Sequence, residues 1–141
     1  MAKTILASQI MTPNVVAANL QNKYSQVMEF FIAHKIQHLP VAFDDKLLGI
    51  LSVNDMAAYL HKRVVANETM DTASLDADFS IGDVMTRNPT VVTVDDTLET
   101  VISILAEGKF QAVPVTKDGL LHGIVTNKDL VRIYKWQLEN N

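Results

Sequence analysis

The sequence predicts an α/β fold built from two pseudo-symmetric β-α-β-β-α repeats. The first observation behind this is a duplication. Met11-Thr12 returns as Met85-Thr86, Pro40-Val41 as Pro114-Val115, Gly49-Ile50 as Gly123-Ile124 and Asp55 as Asp129, all at an offset of 74 residues. The second is a pair of apolar runs in each copy joined by a turn, with Asp118-Gly119 the stronger of the two hairpin signals. The third is helical spacing ahead of each hairpin: Tyr24, Val27, Met28 and Phe31 in the first copy, Leu98, Val101, Ile102 and Leu105 in the second. A duplicated unit of this size is expected to pack on its copy and bury a shared apolar face.

The elements follow in order. Each copy opens on a short amphipathic lead-in, Ile5 to Met11 and Ile81 to Met85, and then an extended segment, residues 15–18 and 91–94. Asp95-Asp96-Thr97 reads as a helix start, and His34 and Gly108 mark where the two helices should stop. The hairpins are predicted at 39–43 with 47–51 and at 113–116 with 120–125. Pro40 and Pro114 demote their strands to a sheet edge or a strand start. A second helix closes each copy, from Asn54 to about Val65 and from Lys128 to about Leu138. Pro13 to Pro40 is two residues longer than Pro89 to Pro114, so a looser loop or bulge belongs near Asn19 to Lys23. The bounds are then 5–65 for the first repeat, 66–80 for an acidic, partly ordered linker and 81–138 for the second repeat.

Composition narrows the function. Of the 141 residues 48% are hydrophobic but only 6% aromatic, so the core is aliphatic and too large for a disordered chain. The net charge of −4 argues against nucleic acid, which needs a basic stripe to displace counterions. No cysteine is present, which removes disulfides and thiol chemistry and fits a cytoplasmic setting. No apolar run approaches the roughly 20 residues that span a bilayer, and the N-terminus lacks the apolar stretch of a signal peptide. His34 and His38 are four apart but straddle a helix exit and a strand entry, so a metal pair is not expected. Asp44-Asp45 and Asp95-Asp96 fall in turns and a helix start, where Asp is favoured locally. No phosphate-binding glycine loop, nucleophile elbow or zinc cluster appears, and the chain is expected not to be an enzyme.

The Met-Thr lead-in, the Pro-Val strand and the Gly-x-x-Ser/Thr-x-x-Asp strand-to-helix turn, each occurring twice in one order, resemble a tandem cystathionine-β-synthase (CBS) domain pair, also called a Bateman module. The resemblance covers residues 5–65 and 80–137. It implies two repeats associated through their sheets, with adenosine-containing ligands bound in clefts between them. It also implies a homodimer formed by helical segments near 24–34, 54–62, 98–107 and 128–138, and regulation of a separate, unknown protein target. No cofactor is implied, only a regulatory ligand such as AMP or ADP.

The residues that would carry this lie at the two strand-to-helix turns, Ser52 with Asp55 and Thr126 with Asp129. A carboxylate there can accept both hydrogens of a ribose diol, and the helix N-terminus favours nearby anionic oxygen. The resemblance assigns the Asp to the ribose and the hydroxyl to the ribose or phosphate. The same residues also read as a capping box, and the two roles are compatible. Gly49 and Gly123 either allow close packing or let a purine base approach. Lys128 is a candidate cation at the second turn, where the first has Asn54. His38, opposite Ala112 of the second copy, is either a phosphate partner or an ordinary half-exposed histidine. The two sites should therefore differ in charge, with Asp129 mattering more than Asp55. Neither turn carries the dense cation set that tight triphosphate binding favours, which places AMP and ADP ahead of ATP. The alternative is a ligand-free structural or interaction module whose motif residues only cap helices.

Overall fold

The computed structural model describes residues 3–141. In chain order its elements are α1 (Ala7–Ile10), β1 (Thr12–Pro13), α2 (Tyr24–His34), β2 (His38–Phe43), β3 (Lys46–Ser52), α3 (Val53–Val65), α4 (Thr72–Asp78), α5 (Ile81–Val84), β4 (Thr86–Arg87), β5 (Val92–Thr93), α6 (Leu98–Ala106), β6 (Ala112–Lys117), β7 (Leu120–Thr126) and α7 (Asn127–Glu139). They fall into two compact units. One is Val16–Asn88. The other joins the described residues up to Val15 with Pro89–Asn141.

In the unit Val16–Asn88, α2 leads into the antiparallel β2–β3 hairpin, with His38 opposite Ser52 and Phe43 opposite Lys46. The two turn residues, Asp44 and Asp45, have φ of 46° and 66°. That left-handed pair matches the right-handed twist of the flanking strands. The ladder skips Leu48 between Val41 and Ala42, a one-residue bulge. Val27, Phe31, Leu39, Val41 and Leu51 are fully or nearly fully buried between sheet and helices, with Met56 of α3 closing the core. Pro40 is tolerated because β2 has only a single parallel bridge on its far side, Ala18 with Val41. Residues 15–18 therefore supply that bridge and not the strand their pattern predicts. The looser entry to α2 is present: the Asn19 and Gln21 amides donate to the side chains of Asn22 and Asn19, and the Lys23 amide donates to Gln26.

The second unit repeats this plan. β6 and β7 pair antiparallel from Ala112 opposite Thr126 to Lys117 opposite Leu120, and the bulge recurs at the equivalent place, between Val115 and Thr116. Asp118 and Gly119 form its turn, at φ of 53° and 80°. β5 runs parallel to β6 but reaches only Val115 and Thr116, leaving Pro114 outside that pairing. Val101 and Leu105 of α6 bury against Val113, Val115 and Val125.

The lead-ins are exchanged. Ile5 to Pro13 packs in the unit of the second copy: Thr12 and Pro13 pair with Ile124 and Gly123, and the Ala7 and Ser8 amides donate to Asp96 and Val94 carbonyls. The lead-in of the second copy pairs within the unit of the first, with Thr86 and Arg87 opposite Ile50 and Gly49. The sequence reading placed each lead-in ahead of its own repeat. Met-Thr and Gly recur identically in both copies, so the pattern alone cannot assign one to the other. Within the acidic linker, α4 is a regular helix, started by the Asp71 side chain accepting from the Ser74 amide.

Candidate functional site

Each hairpin's second strand runs directly into a helix, and the change of direction is made by the hydroxyl residue. Ser52 has extended backbone (φ −108°, ψ 162°) and is the N-cap of α3; Thr126 (φ −116°, ψ 166°) is the N-cap of α7. The Asp55 amide donates to Ser52 Oγ at 3.0 Å, and the Ser52 amide donates back to Asp55 Oδ2 at 2.8 Å. At the second turn the Asp129 amide donates to Thr126 Oγ1 at 3.4 Å and the Thr126 amide to Asp129 Oδ2 at 2.8 Å. The Thr126 hydroxyl also donates to Asp129 Oδ2, at 3.2 Å. Both turns are complete capping boxes, with Asp in the place usually held by Glu. The Val53 and Asn127 amides are taken by the carbonyls of Gln37 and Gln111. That leaves the amides of Asn54 and Lys128 as the remaining first-turn donors to an anion at each helix start.

Capping occupies only one oxygen of each carboxylate. Asp55 is half-buried and its Oδ1 has no hydrogen bond among the described residues. Asp129 is buried, at 9% exposure, and its Oδ1 lies 3.8 Å from Arg132 Nη1. Arg132 stands one turn along α7 from Asp129 and is largely exposed, as is Lys128. The second turn therefore brings together one carboxylate, one hydroxyl and the Arg132 cation, with the exposed Lys128 next to Asp129 in the chain. Arg132 lies one turn beyond the Thr-x-x-Asp motif and so is not marked by it. Its signal was the (i, i+3) spacing from Asp129, with Ala58 at the matching place in the first copy.

His38 is half-buried on β2, paired with Ser52 and close enough to Asp55 to feel its charge. Burial pushes its imidazole below the ordinary range, an effect that the Asp55 carboxylate only partly offsets. At neutral pH it is an uncharged donor and acceptor and not a cation for phosphate. Among the described residues no cation pairs with Asp55 at the first turn. Gly49 and Gly123 sit where the exchanged lead-ins cross the strands. A Cβ on Gly49 would lie 2.6 Å from both Met85 Sδ and the Thr86 carbonyl oxygen; on Gly123 it would lie 2.5 Å from Met11 Sδ and 2.8 Å from the Thr12 carbonyl oxygen. Close packing accounts for both glycines. Among the described residues no group of three or more His, Asp or Glu is placed to hold a metal ion, and no helix is long and apolar enough to cross a membrane.

Solved structures share this fold over nearly the whole chain. CBSX2 in complex with AMP superposes with a TM-score of 0.77 at 26% identity, covering 96% of this chain and 98% of that one. The CBS domain pair of MJ0100, in complex with 5′-methylthioadenosine and S-adenosyl-L-methionine, gives 0.78 at 25% identity over 96% and 99%. In sequence, the uncharacterized protein MJ1225 of Methanocaldococcus jannaschii is 24% identical over 126 residues, 89% of this chain and 41% of that protein. The chain spans less than half the length of that relative and of another from Thermofilum pendens. The CBS domain family matches residues 7–62 and again 81–135, the two stretches that carry the duplicated hairpins and capped turns. With both copies matched in full order, the chain belongs to the CBS domain family and is a tandem CBS pair.

Proposed function

We propose that this chain is a regulatory module that binds an adenosine-containing ligand, AMP or ADP ahead of ATP, and passes occupancy to a separate protein target. The observation that carries the reading is the half-used carboxylate. At both turns the backbone fixes one oxygen of the Asp and leaves the other to accept a ribose hydroxyl, with its orientation already set. Arg132 beside the second carboxylate, and Lys128 next to Asp129 in the chain, supply positive charge for one phosphate group. The AMP held by CBSX2 and the two adenosine compounds held by MJ0100 support the ligand class. The reading is non-catalytic: the carboxylates are tied as acceptors to backbone N–H groups, an arrangement that serves holding and not proton transfer.

A homodimer fits the same reading. Val131, Tyr134 and Leu138 are exposed at 60–68% and repeat at helical spacing along α7, an apolar stripe that a second copy would cover. A second, ligand-free reading is favoured by the completeness of the capping boxes, since capping alone explains Ser52, Asp55, Thr126 and Asp129. Isothermal titration against AMP, ADP, ATP, NAD and S-adenosylmethionine separates the two. The proposed function requires saturable heat with at least one of them, strongest for the mono- or diphosphate. A flat response to all five leaves the structural module.

A further inference from the structure

Trp136 is the chain's single tryptophan, and near the end of α7 it lies 65% exposed. Core packing does not account for it. α7 rests on its unit through Leu130, and Trp136 lies about 120° round the helix from there. Nor does it belong to the stripe of Val131, Tyr134 and Leu138, which is about 140–160° away. A second copy seated on that stripe would leave the indole open. The face Trp136 does share is that of Asp129 and Arg132. Seven residues bring it to within about 20° of Asp129, and Arg132 falls one turn before it.

Side chains on a helix lean towards its N-terminus. Arg132 shows this, for its Nη1 reaches back to 3.8 Å from Asp129 Oδ1. The same lean carries the indole of Trp136 over the turn that holds Arg132, about one turn, or roughly 5.4 Å, beyond the carboxylate. The face therefore presents three groups in order. They are a buried carboxylate with one oxygen free of hydrogen bonds among the described residues, a guanidinium, and an open aromatic plane. A purine nucleoside monophosphate has the matching order, with its sugar diol and its base separated by a comparable span. At the corresponding places of the first copy stand Asp55, Ala58 and Lys62, with no aromatic ring among them.

We infer that Trp136 stacks on the base of a purine nucleotide held at the second turn, and so makes that turn selective for nucleotides over sugar phosphates. The inference rests on the ligand reading given above and names the residue that recognises the base. Asp129 takes the ribose diol, Arg132 the phosphate, and the indole lies flat against the purine. A tryptophan suits this task because it offers a large rigid face and orders with only two side-chain torsions. Stacking reads the π-face common to all purines, so it selects for a base without demanding hydrogen bonds to the base edge.

Titration of the full chain with AMP and with ribose 5-phosphate, by calorimetry and by tryptophan emission, tests it. An Asp55→Asn background keeps binding to the second turn. As the single tryptophan, Trp136 reports on its own surroundings. AMP should shift and quench the emission. Ribose 5-phosphate should leave it unchanged and bind more weakly by about five-fold or more, the worth of one base–aromatic stack. Trp136→Leu should lose that same factor for AMP and nothing for ribose 5-phosphate, and Trp136→Phe should recover most of it. The position is exposed, so both variants keep the fold. Unchanged AMP affinity in Trp136→Leu overturns the inference and leaves the ligand reading intact. AMP binding to wild type but not to the Asp55→Asn protein also overturns it, by placing the ligand at the first turn. No heat with AMP in either protein removes the ligand reading and the inference with it.

Discussion

Gly123→Ala probes the exchange of lead-ins directly. The added Cβ would meet Met11 Sδ at 2.5 Å, Met11 Cγ at 2.8 Å and the Thr12 carbonyl oxygen at 2.8 Å, where ordinary contact begins near 3.4 Å. The methionine can swing aside, but the carbonyl belongs to the β1–β7 pairing, with Thr12 opposite Ile124. Overpacking of this kind costs about 1–3 kcal/mol, offset by about 0.4–1 kcal/mol from the stiffer unfolded chain. The net expectation is a loss of about 1–2 kcal/mol, read by urea denaturation of wild type and variant side by side. Repeating the substitution in a Met11→Ala background removes the sulfur and Cγ and leaves the carbonyl. The cost should shrink without vanishing, giving a coupling of about 0.5 kcal/mol or more between positions 11 and 123. A neutral or stabilising Gly123→Ala, or strict additivity with Met11→Ala, would refute the placement of the N-terminal lead-in on β7. Gly82→Ala serves as the contrast: its nearest neighbour is the flexible end of Arg87 at 3.0 Å, so the change should lie within about 0.5 kcal/mol of wild type or stabilise.

Three further outcomes follow from the local geometry. Asp45 holds a left-handed φ of 66° where the second copy has Gly119, so Asp45→Gly should stabilise the first hairpin by up to about 1 kcal/mol in thermal or chemical denaturation. The Ser25 amide and hydroxyl hold the Asp76 carboxyl below its ordinary value of 3.8. Its contribution to stability is therefore whole above that value and lost as pH falls through it towards the lower folded value, and Asp76→Asn should show a shallower decline there. Burial of His38 acts at higher pH: protonation favours the unfolded chain below the ordinary 6.5, so His38→Gln should remove part of the stability lost on mild acidification.

The hairpins, the four main helices and the capped turns were legible because each has a local cause. Alternating and helical periods, a Pro-Val pair in the first strand of the hairpin and Ser/Thr-x-x-Asp before an apolar run act over a few residues and occur twice, and Asp-Gly marks the two-residue turn of the second hairpin. The lead-in exchange was not legible, because two identical Met-Thr pairs face two identical glycines and the sequence does not distinguish the pairings. The linker helix α4 was hidden for a different reason. Its buried anchor, Leu75, stands nearly alone, and the rest of its hold comes from Arg63 and Ser25, whose roles depend on partners 15 and 51 residues away. At the candidate site the hydroxyl–carboxylate pairs were visible from spacing. The neutrality of His38 and the cation Arg132 were not, because one depends on burial and the other lies beyond the motif.

The central claim is that the repeated carboxylates hold a ligand as well as a helix. Asn in place of Asp keeps an oxygen to accept the Ser52 or Thr126 amide and replaces the second oxygen with a donor, so the cap survives and the ribose acceptor does not. Isothermal titration of AMP into wild type, Asp55→Asn and Asp129→Asn, each confirmed folded by circular dichroism, is the most direct test. Loss of a hydrogen bond to a charged group costs about 1.5–3 kcal/mol, or roughly ten-fold or more in affinity. Binding by wild type, with Asp129→Asn weakened by that factor and Asp55→Asn by less, is the predicted result. Equal affinity in all three proteins would contradict the account and leave the two aspartates as helix caps alone.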